Sequence, residues 1–192
     1  SNRGAKELMA KSYFFLNPDT VIDDENVLDK LFEFLTAHPK IGAVVPRLHC
    51  LEGSLQLTCR RFPRWYMPLV SRTSVGESTF GQRYGTDFLM KDFDHESARL
   101  IDWAQGSALL IDGALFHTLG GFDERYFMYF EDVDLCRSIW EQGRPIYYLP
   151  SAVLRHVHGK GSAKTKGVIR SIFFNRLART HILSWAKYHL KW

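Results

Sequence analysis

The sequence has no apolar run of eighteen residues or more, and this absence excludes a membrane-spanning helix. No signal peptide opens the 192-residue chain, and no internal repeat or low-complexity tract occurs in it. Cysteine is scarce. Cys50, Cys59 and Cys136 are odd in number and have the spacing of neither a metal site nor a redox motif. This pattern favours a reduced, cytosolic setting.

Acidic residues are missing from the last part of the chain. Residues 142–192 carry ten Lys and Arg but no Asp or Glu, whereas residues 1–141 carry fifteen basic and twenty-one acidic residues. The formal net charge of +4 therefore conceals an acidic body followed by a basic tail. Such a tail indicates an anionic partner. The hydrophobic content of 45% is enough for one good core.

Strand-like and helix-like segments alternate, which predicts an α/β domain with a mainly parallel sheet. Helices are expected after Asp23 or Asp24, after Asp112, from about Phe130, and in the tail from about Lys164. Residues 60–97 are rich in Arg, Ser, Gly and aromatics and predict a long irregular loop. The predicted strands are "SYFFLNPDT", "IGAVVPRL", "SLQLT", "ARLIDW", "SALLID", "PIYYLP" and "AVLRHVH".

The stretch "MYFEDVDLCR" holds three carboxylates, Glu131, Asp132 and Asp134, between aromatic residues and an apolar run. Helix capping is one interpretation, because the macrodipole favours acids in the first turn of a helix. Catalysis is the other. Crowded carboxylates beside apolar neighbours have a raised pKa, which moves toward the range useful to a general base. The residues alone leave both interpretations open.

Two further stretches carry oxygen or nitrogen ligands. Asn17-Pro18-Asp19 ends a predicted buried strand, where ligands of open α/β sheets bind, and an Asp there could hold a divalent cation. An Asx turn before a helix cap explains the same residues. In "RHVHGKGS", His156 and His158 alternate on a strand and share a face. They are either metal or phosphate contacts or partly buried strand-end histidines.

The tail predicts a basic amphipathic helix. Its apolar side is formed by Phe174, Leu177, Ala178, Ile182, Trp185, Tyr188 and Trp192, and its basic side by Arg176, Arg179, Lys187 and Lys191. A basic helix with tryptophans is typical of helices that lie on anionic membrane surfaces. Packing on its own domain or on a dimer partner explains the same pattern.

Taken in order, four blocks resemble the inverting family 2 glycosyltransferases of GT-A fold, in the rhamnosyltransferase-like branch. The blocks are "FFLNPDT", "IDWAQGSALLID", "LGGFDERYFMYFEDVDLCRSIWEQG" and "VLRHVHGKGS". The resemblance implies a GT-A catalytic region over residues 1–163, with a mixed, mainly parallel sheet flanked by helices, and a basic helical tail over residues 164–192. The family's N-terminal nucleotide-binding unit is absent or reduced, so we expect a truncated fold.

The resemblance also implies a metal site. Asp19 takes the place of the family's Asp-x-Asp motif and would coordinate Mg²⁺ or Mn²⁺ on the donor diphosphate, and Asn17 replaces the first carboxylate of the motif. His156 matches the histidine that completes the metal site in related enzymes, in preference to His158.

Roles for the remaining site residues follow from the same resemblance. Asp132 would be the catalytic base, and Glu131 would help to place the acceptor. Trp103 would line the acceptor pocket, while Gly106 and Ser107 would line the donor pocket.

The implied function is inverting transfer of a sugar from a nucleotide-sugar to a saccharide or lipid-linked acceptor in cell-surface polysaccharide assembly. The enzyme would be cytoplasmic and peripheral on the inner face of the cytoplasmic membrane, held to anionic lipid by its C-terminal helix. A truncated or degenerate GT-A domain that only binds a membrane or another subunit is the alternative. Nucleic-acid binding is not expected, because the basic residues lie on a helix with an apolar face. The donor sugar, the acceptor and a homo-oligomeric state are left open.

Overall fold

One mixed sheet runs through the protein, whose computed structural model describes residues 1–157 and 176–192. Its seven strands are β1 (Ser12–Leu16), β2 (Thr20–Val21), β3 (Ala43–His49), β4 (Leu55–Gln56), β6 (Arg99–Ile101), β8 (Ala108–Asp112) and β9 (Ile146–His156). The strand order is β1–β8–β3–β9–β2, with β4 added to β3 and β6 added to β9. The strands β5 (Cys59–Arg60) and β7 (Trp103–Ala104) form a separate two-stranded ladder.

The directions of the strands correct the prediction of a mainly parallel sheet. In the part of the chain that the structure describes, β3 and β9 form the one parallel pair, and the other pairs are antiparallel. Two of the antiparallel pairs involve β8, which lies between β1 and β3 and runs opposite to both. The others involve the short strands β2, β4 and β6. The α/β class itself is as predicted. "PIYYLP" and "AVLRHVH" form the single strand β9 rather than two strands.

The helices bury their apolar faces against this sheet and against each other. They are α1 (Asn2–Glu7), α2 (Val27–Ala37), α3 (Met67–Arg72), α4 (Thr79–Phe88), α5 (Gly113–Thr118), α6 (Glu131–Glu141) and α7 (Arg176–Lys191). In α2, the predicted spacing buries Val27, Leu31 and Leu35 in a cluster with residues of β3, β8 and β9. Each such side chain contributes about 1.5–3 kcal/mol of burial free energy.

Residues 60–97 correct a second prediction, because they are not an irregular loop. They contain α3, α4 and a 3₁₀ turn at Ser74–Glu77. Helices this short are marginal in isolation, and α4 carries two glycines, so local propensity gives little sign of them. They are held by packing, since Met67, Val70 and Tyr84 share an apolar cluster with residues of α6 and α7.

The antiparallel insertion of β8 brings three separate parts of the chain to one edge of the sheet. The last residue of β1 pairs with the first residue of β8, Leu16 with Ala108. At the same edge, the last residue of β9, His156, pairs with Thr20 just after the Asn-Pro-Asp turn. The carboxyl ends of β1 and β9 and the amino end of β8 therefore define one region, which α6 reaches from the side.

Candidate active site

The Asn-Pro-Asp turn follows β1 and is held by the start of β8. The backbone N–H of Asn17 donates to the carbonyl of Ser107 at 2.9 Å, and the hydroxyl of Thr20 donates to the same carbonyl at 3.5 Å. The carboxylate of Asp19 and the amide of Asn17 are both exposed at the edge of the sheet. Asn17, Asp19 and Ser107, predicted as donor-side residues, are thus brought together.

His156 at the end of β9 faces Asp19. Its Nε2 lies 3.2 Å from Oδ1 of Asp19, and its Nδ1 lies 3.1 Å from Oε1 of Gln56. An amide oxygen only accepts, so Nδ1 donates in this contact, and the neutral ring in this tautomer carries its lone pair on Nε2. That Nε2 is buried and has no hydrogen-bond partner among the described residues. An imidazole whose Nδ1 is held by a second residue, and whose Nε2 lies beside a carboxylate, fits a divalent cation.

The cation site has two candidate protein ligands. Within residues 1–157 and 176–192, no group of three or more His, Cys, Asp and Glu side chains converges as a metal centre. His158, the other histidine named as a metal ligand, lies outside the described residues. Asp19 and His156 are therefore the protein donors that the structure brings together.

Asp132 lies in the first turn of α6 and contacts the residue before Ser107. Its Oδ2 accepts the N–H of Gly106 at 3.0 Å, and its Oδ1 accepts the N–H of Val133 at 2.8 Å. Burial raises the pKa of Asp132, and the amide donors of Gly106 and Val133 oppose this rise. Gly106 donates to Asp132, and the next residue, Ser107, accepts from Asn17. Two consecutive residues therefore bridge the candidate base and the Asn-Pro-Asp turn through hydrogen bonds.

The start of α6 is built from unusual backbone. Tyr129 and Phe130 both have positive φ, 66° and 68°, a conformation that non-glycine residues rarely adopt. Two such residues in succession store strain, which proteins tend to retain at functional sites. Burial and the neighbouring charge of Asp132 raise the pKa of Glu131 to about 7. The Oε2 of Glu131 is buried and has no hydrogen-bond partner in the described parts of the chain.

Asp134, the third carboxylate of the stretch, has a structural role. It is buried, and its Oδ1 accepts from the indole N–H of Trp192 at 2.8 Å and from the hydroxyl of Tyr126 at 3.3 Å. Its Oδ2 forms an ion pair of 2.8 Å with Lys191. The three carboxylates therefore differ in what they contact. Asp134 binds the C-terminal helix, whereas Glu131 and Asp132 lie at the candidate site.

The C-terminal helix α7 packs on the domain over the described residues 176–192. Ala178 and Tyr188 of the predicted apolar side are buried, and the ring of Tyr188 lies 5.4 Å from that of Phe130. Lys191, expected on the outer basic side, instead pairs with Asp134. This arrangement favours the interpretation of packing on its own domain. Membrane contact through α7 stays a prediction, as does the boundary between residues 163 and 164, which lies outside the described residues.

Trp103 lies closer to the core than an open acceptor pocket would require. Its indole N–H donates to the carbonyl of Arg61 at 2.8 Å, and its ring is partly buried in two apolar clusters. A role in acceptor binding stays a prediction. Trp103 also pairs across the β5–β7 ladder with Arg60, a residue that sequence reasoning missed.

Arg60 is a largely buried cation close to Asp132. Its guanidinium donates to the carbonyls of Leu57 and Cys59. Burial lowers the pKa of Arg60 to about 10, and the nearby Cys59 and Asp132 oppose this shift. The signal for Arg60 in the sequence is weak, an Arg-Arg pair in "CRRFP". The second arginine, Arg61, is bound to Asp102.

Asp132 on one side of Gly106 and Ser107, and the Asn-Pro-Asp turn with the Asp19–His156 pair on the other, form the arrangement expected from the resemblance to glycosyltransferases. The sequence comparison agrees with that class, because a model of the glycosyltransferase-like family 2 matches residues 3–171. The chain belongs to this family. An N-acetylglucosaminyl-diphospho-decaprenol L-rhamnosyltransferase of Mycobacterium tuberculosis is 33% identical over 143 residues, which cover 73% of this chain and 45% of the relative. The chain thus spans less than half the length of this curated relative.

Solved structures show the same fold. GalNAc-T7 with UDP, GalNAc and Mn²⁺ superimposes with a TM-score of 0.56 at 14% identity, over 83% of this chain and 30% of that chain. A mannosyltransferase of Pyrobaculum calidifontis, PcManGT, in complex with GDP-Man and Mn²⁺, gives a TM-score of 0.52 at 15% identity, over 99% of this chain and 42% of that chain. The GT-A fold expected from the sequence is thereby confirmed.

None of the helices in the described ranges has both the length and the apolar character needed to cross a bilayer. The three cysteines all lie within those ranges and are free thiols. Cys59 and Cys136 are buried, and burial raises the pKa of the Cys59 thiol to about 12. Neither of these two thiols is therefore a ready nucleophile or metal ligand.

Proposed function

We propose that this chain carries the catalytic region of an inverting glycosyltransferase that moves a sugar from a nucleotide-sugar to an acceptor hydroxyl. One observation carries the proposal: the consecutive residues Gly106 and Ser107 bind Asp132 on one side and the Asn-Pro-Asp turn on the other. A base and a cation site arranged in this way meet the two chemical requirements of the reaction. The leaving diphosphate needs neutralising charge, and the acceptor hydroxyl needs a proton acceptor.

Asp19 and His156 would hold Mg²⁺ or Mn²⁺, with the remaining ligands supplied by donor phosphates and water. Bound there, the cation would neutralise the charge that develops on the leaving nucleoside diphosphate. The orientation of His156 by Gln56 supports this assignment, because it turns Nε2 of the imidazole toward Asp19. Arg60 adds positive charge near the base.

Asp132 would take the proton of the acceptor hydroxyl as that oxygen attacks the anomeric carbon. Both of its oxygens are held by backbone N–H groups, so its position is fixed before the acceptor arrives. Glu131, whose Oε2 is buried, would bind a hydroxyl of the acceptor and help to place it. Inversion follows if the attack and the departure of the diphosphate occur on opposite faces of the sugar.

The substrate class comes from the relative. Its name states a lipid-linked acceptor, N-acetylglucosaminyl-diphospho-decaprenol, and transfer of L-rhamnose. We infer a comparable role for this chain, in which a rhamnosyl or related hexosyl unit is added to a lipid-linked or other saccharide in cell-surface polysaccharide assembly. Such an acceptor would place the enzyme at the inner face of the cytoplasmic membrane, as a peripheral protein.

Isothermal titration with UDP, TDP and GDP, each with and without Mn²⁺, tests the cation and donor sites. We expect metal-dependent binding of one nucleotide that is lost in Asp19→Ala and retained in Asp29→Asn, a matched change of an exposed acid on α2. An Asp132→Asn variant should keep this binding but lose about 10²–10⁴-fold in turnover. Binding of no nucleotide by the full protein would contradict the proposal and favour a non-catalytic GT-A domain that acts as a binding partner.

A further inference from the structure

The segment of α3, the 3₁₀ turn and α4 exposes a group of large apolar side chains, here called the aromatic patch: Trp65, Leu69, Val75 and Phe80. Trp65 is 67% exposed and Phe80 is 55% exposed. The two rings are linked through Tyr66, whose ring centroid lies 5.5 Å from that of Trp65 and 5.6 Å from that of Phe80. Leu69 lies in α3, four residues after Trp65. Scattered apolar residues on a surface are ordinary, whereas exposed rings joined through a shared neighbour, together with further exposed apolar side chains on the same segment, indicate a binding surface.

The segment that carries the aromatic patch is basic, whereas the rest of residues 1–141 is acidic. Residues 59–91 carry six Lys and Arg and two Asp and Glu, and the remainder of residues 1–141 carries nine basic and nineteen acidic residues. Of the six, Arg60 donates to the carbonyls of Leu57 and Cys59, and Arg61 pairs with Asp102. Arg64 and Arg83 are exposed, the first next to Trp65 and the second one turn after Phe80. Tryptophan and phenylalanine flanked by arginine are typical of side chains that enter the headgroup region of anionic bilayers.

The aromatic patch belongs to the same packed unit as the candidate base. Met67, Val70 and Tyr84 lie on the inner sides of α3 and α4, in one cluster with Phe130 and Val133. Those two residues flank Glu131 and Asp132. Whatever the aromatic patch contacts is therefore held at a fixed distance from the start of α6.

We propose that the aromatic patch is the membrane-docking surface of this protein, and that its occupant is a bilayer containing anionic lipid. The C-terminal helix α7 is a weaker candidate, because Ala178, Ser184 and Tyr188 are buried against the domain. Docking through the aromatic patch holds the start of α6 near the headgroups, where a lipid-linked saccharide presents its hydroxyls. That consequence rests on the proposed function, whereas the lipid contact itself does not.

Flotation of the full chain with vesicles tests the docking surface. The probes are vesicles of phosphatidylcholine alone and of phosphatidylcholine mixed with phosphatidylglycerol. The variant Trp65→Ser/Phe80→Ser removes the two exposed rings of the aromatic patch. The matched control, Leu183→Ser/Leu190→Ser, removes two exposed leucines from the outer face of α7. We expect wild type and control to float with the anionic vesicles, and the aromatic-patch variant to lose about tenfold or more in partition coefficient.

Thermal unfolding and metal-dependent nucleotide binding are measured on the same variants. Unchanged values together with lost flotation would assign the defect to the surface. Wild type that stays unbound to anionic vesicles, or an aromatic-patch variant that floats as well as wild type, would overturn the proposal. Loss of flotation only in the α7 variant would overturn it in favour of the C-terminal helix. Self-association abolished by Trp65→Ser/Phe80→Ser, without vesicle binding, would overturn it in favour of a second copy. Flotation uses no donor, so failure of the proposed glycosyl transfer would leave its result intact.

Discussion

Replacing Gly106 with alanine tests the contact on which the proposed site depends. The backbone of Gly106 is not in the left-handed region, so alanine fits its conformation. A Cβ at this position would lie 3.3 Å from Cβ of Asp132 and 3.5 Å from its Oδ2. The first distance is tighter than an ordinary contact, so the carboxylate must move by a few tenths of an ångström. We expect this shift to affect the position of the base more than the stability of the fold, because backbone N–H groups hold the carboxylate in place.

The two effects of Gly106→Ala differ in size. Lengthening the 3.0 Å bond from Gly106 to Asp132 costs part of a charge-assisted hydrogen bond, so we expect about 1 kcal/mol or less in unfolding free energy. A misplacement of about 1 Å costs about 10²-fold in rate, so a smaller shift should lower kcat about tenfold while the KM for the donor changes little. Weakening an N–H donor to a carboxylate also raises its pKa. The acidic limb of the pH–rate profile should therefore move to higher pH.

The assay is initial-rate kinetics against pH, alongside urea unfolding. Gly85→Ala is the matched control, because Gly85 lies within α4 and a Cβ there meets nothing within 4 Å. Alanine at that position should leave kcat unchanged and stabilise the protein by up to about 1 kcal/mol. If Gly106→Ala is stable and keeps a wild-type kcat and pH profile, the contact between Gly106 and Asp132 does not position the base, and the assignment of Asp132 fails.

Two further changes probe the carboxylates of α6. The pKa of Glu131 is raised in the folded state from 4.5 to about 7, so its contribution to stability is fully present below pH 4.5 and is lost as pH rises through 7. In urea unfolding, Glu131→Gln should therefore stabilise the protein at pH 8 and have little effect at pH 4.5. Equal effects at both pH values would contradict the burial of its charge. Asp134→Ala should cost about 2 kcal/mol, because it removes the buried carboxylate that accepts from Lys191 and Trp192, and should make residues after 175 sensitive to limited proteolysis. Lys191 would keep its 3.2 Å pair with Asp123. The exposed pair of Glu141 and Arg137 is the control, and Glu141→Ala should cost no more than about 0.5 kcal/mol; similar costs for both variants would refute the anchoring role of Asp134.

The sequence predicted which candidate residues come together better than it predicted the strand directions of the sheet. Asn-Pro-Asp, the Glu-Asp pair and His156 are short motifs whose order along the chain resembles a family, and the fold brings them to one edge. The direction of β8 is not encoded locally. Whether a strand is parallel or antiparallel to its neighbours depends on the two strands between which it lies. Packing over the whole domain decides that position.

The predictions that were wrong or incomplete have long-range causes. The role of Asp134 depends on Lys191 and Trp192, which follow it by 57 and 58 residues. In the same way, α3 and α4 are stabilised because Met67 and Tyr84 pack against α6 and α7. The composition of residues 60–97 contains no sign of these contacts and therefore predicts a loop. Helix propensity is a weak guide where tertiary contacts decide the outcome.

The charge asymmetry of the sequence has a partial explanation within the molecule. Lys191 of the basic tail pairs with Asp134 and lies 3.2 Å from Asp123, and Lys187 donates to the carbonyl of Arg125. The tail therefore neutralises acids on the turn and helix that carry the candidate base. Two strained residues precede α6, and strain of this kind persists only where the surrounding structure over-determines it. The ion pair of the buried Asp134 with Lys191 and the ring contact of Tyr188 with Phe130 contribute to that constraint, so we interpret α7 first as the element that holds α6, and with it Asp132, in place.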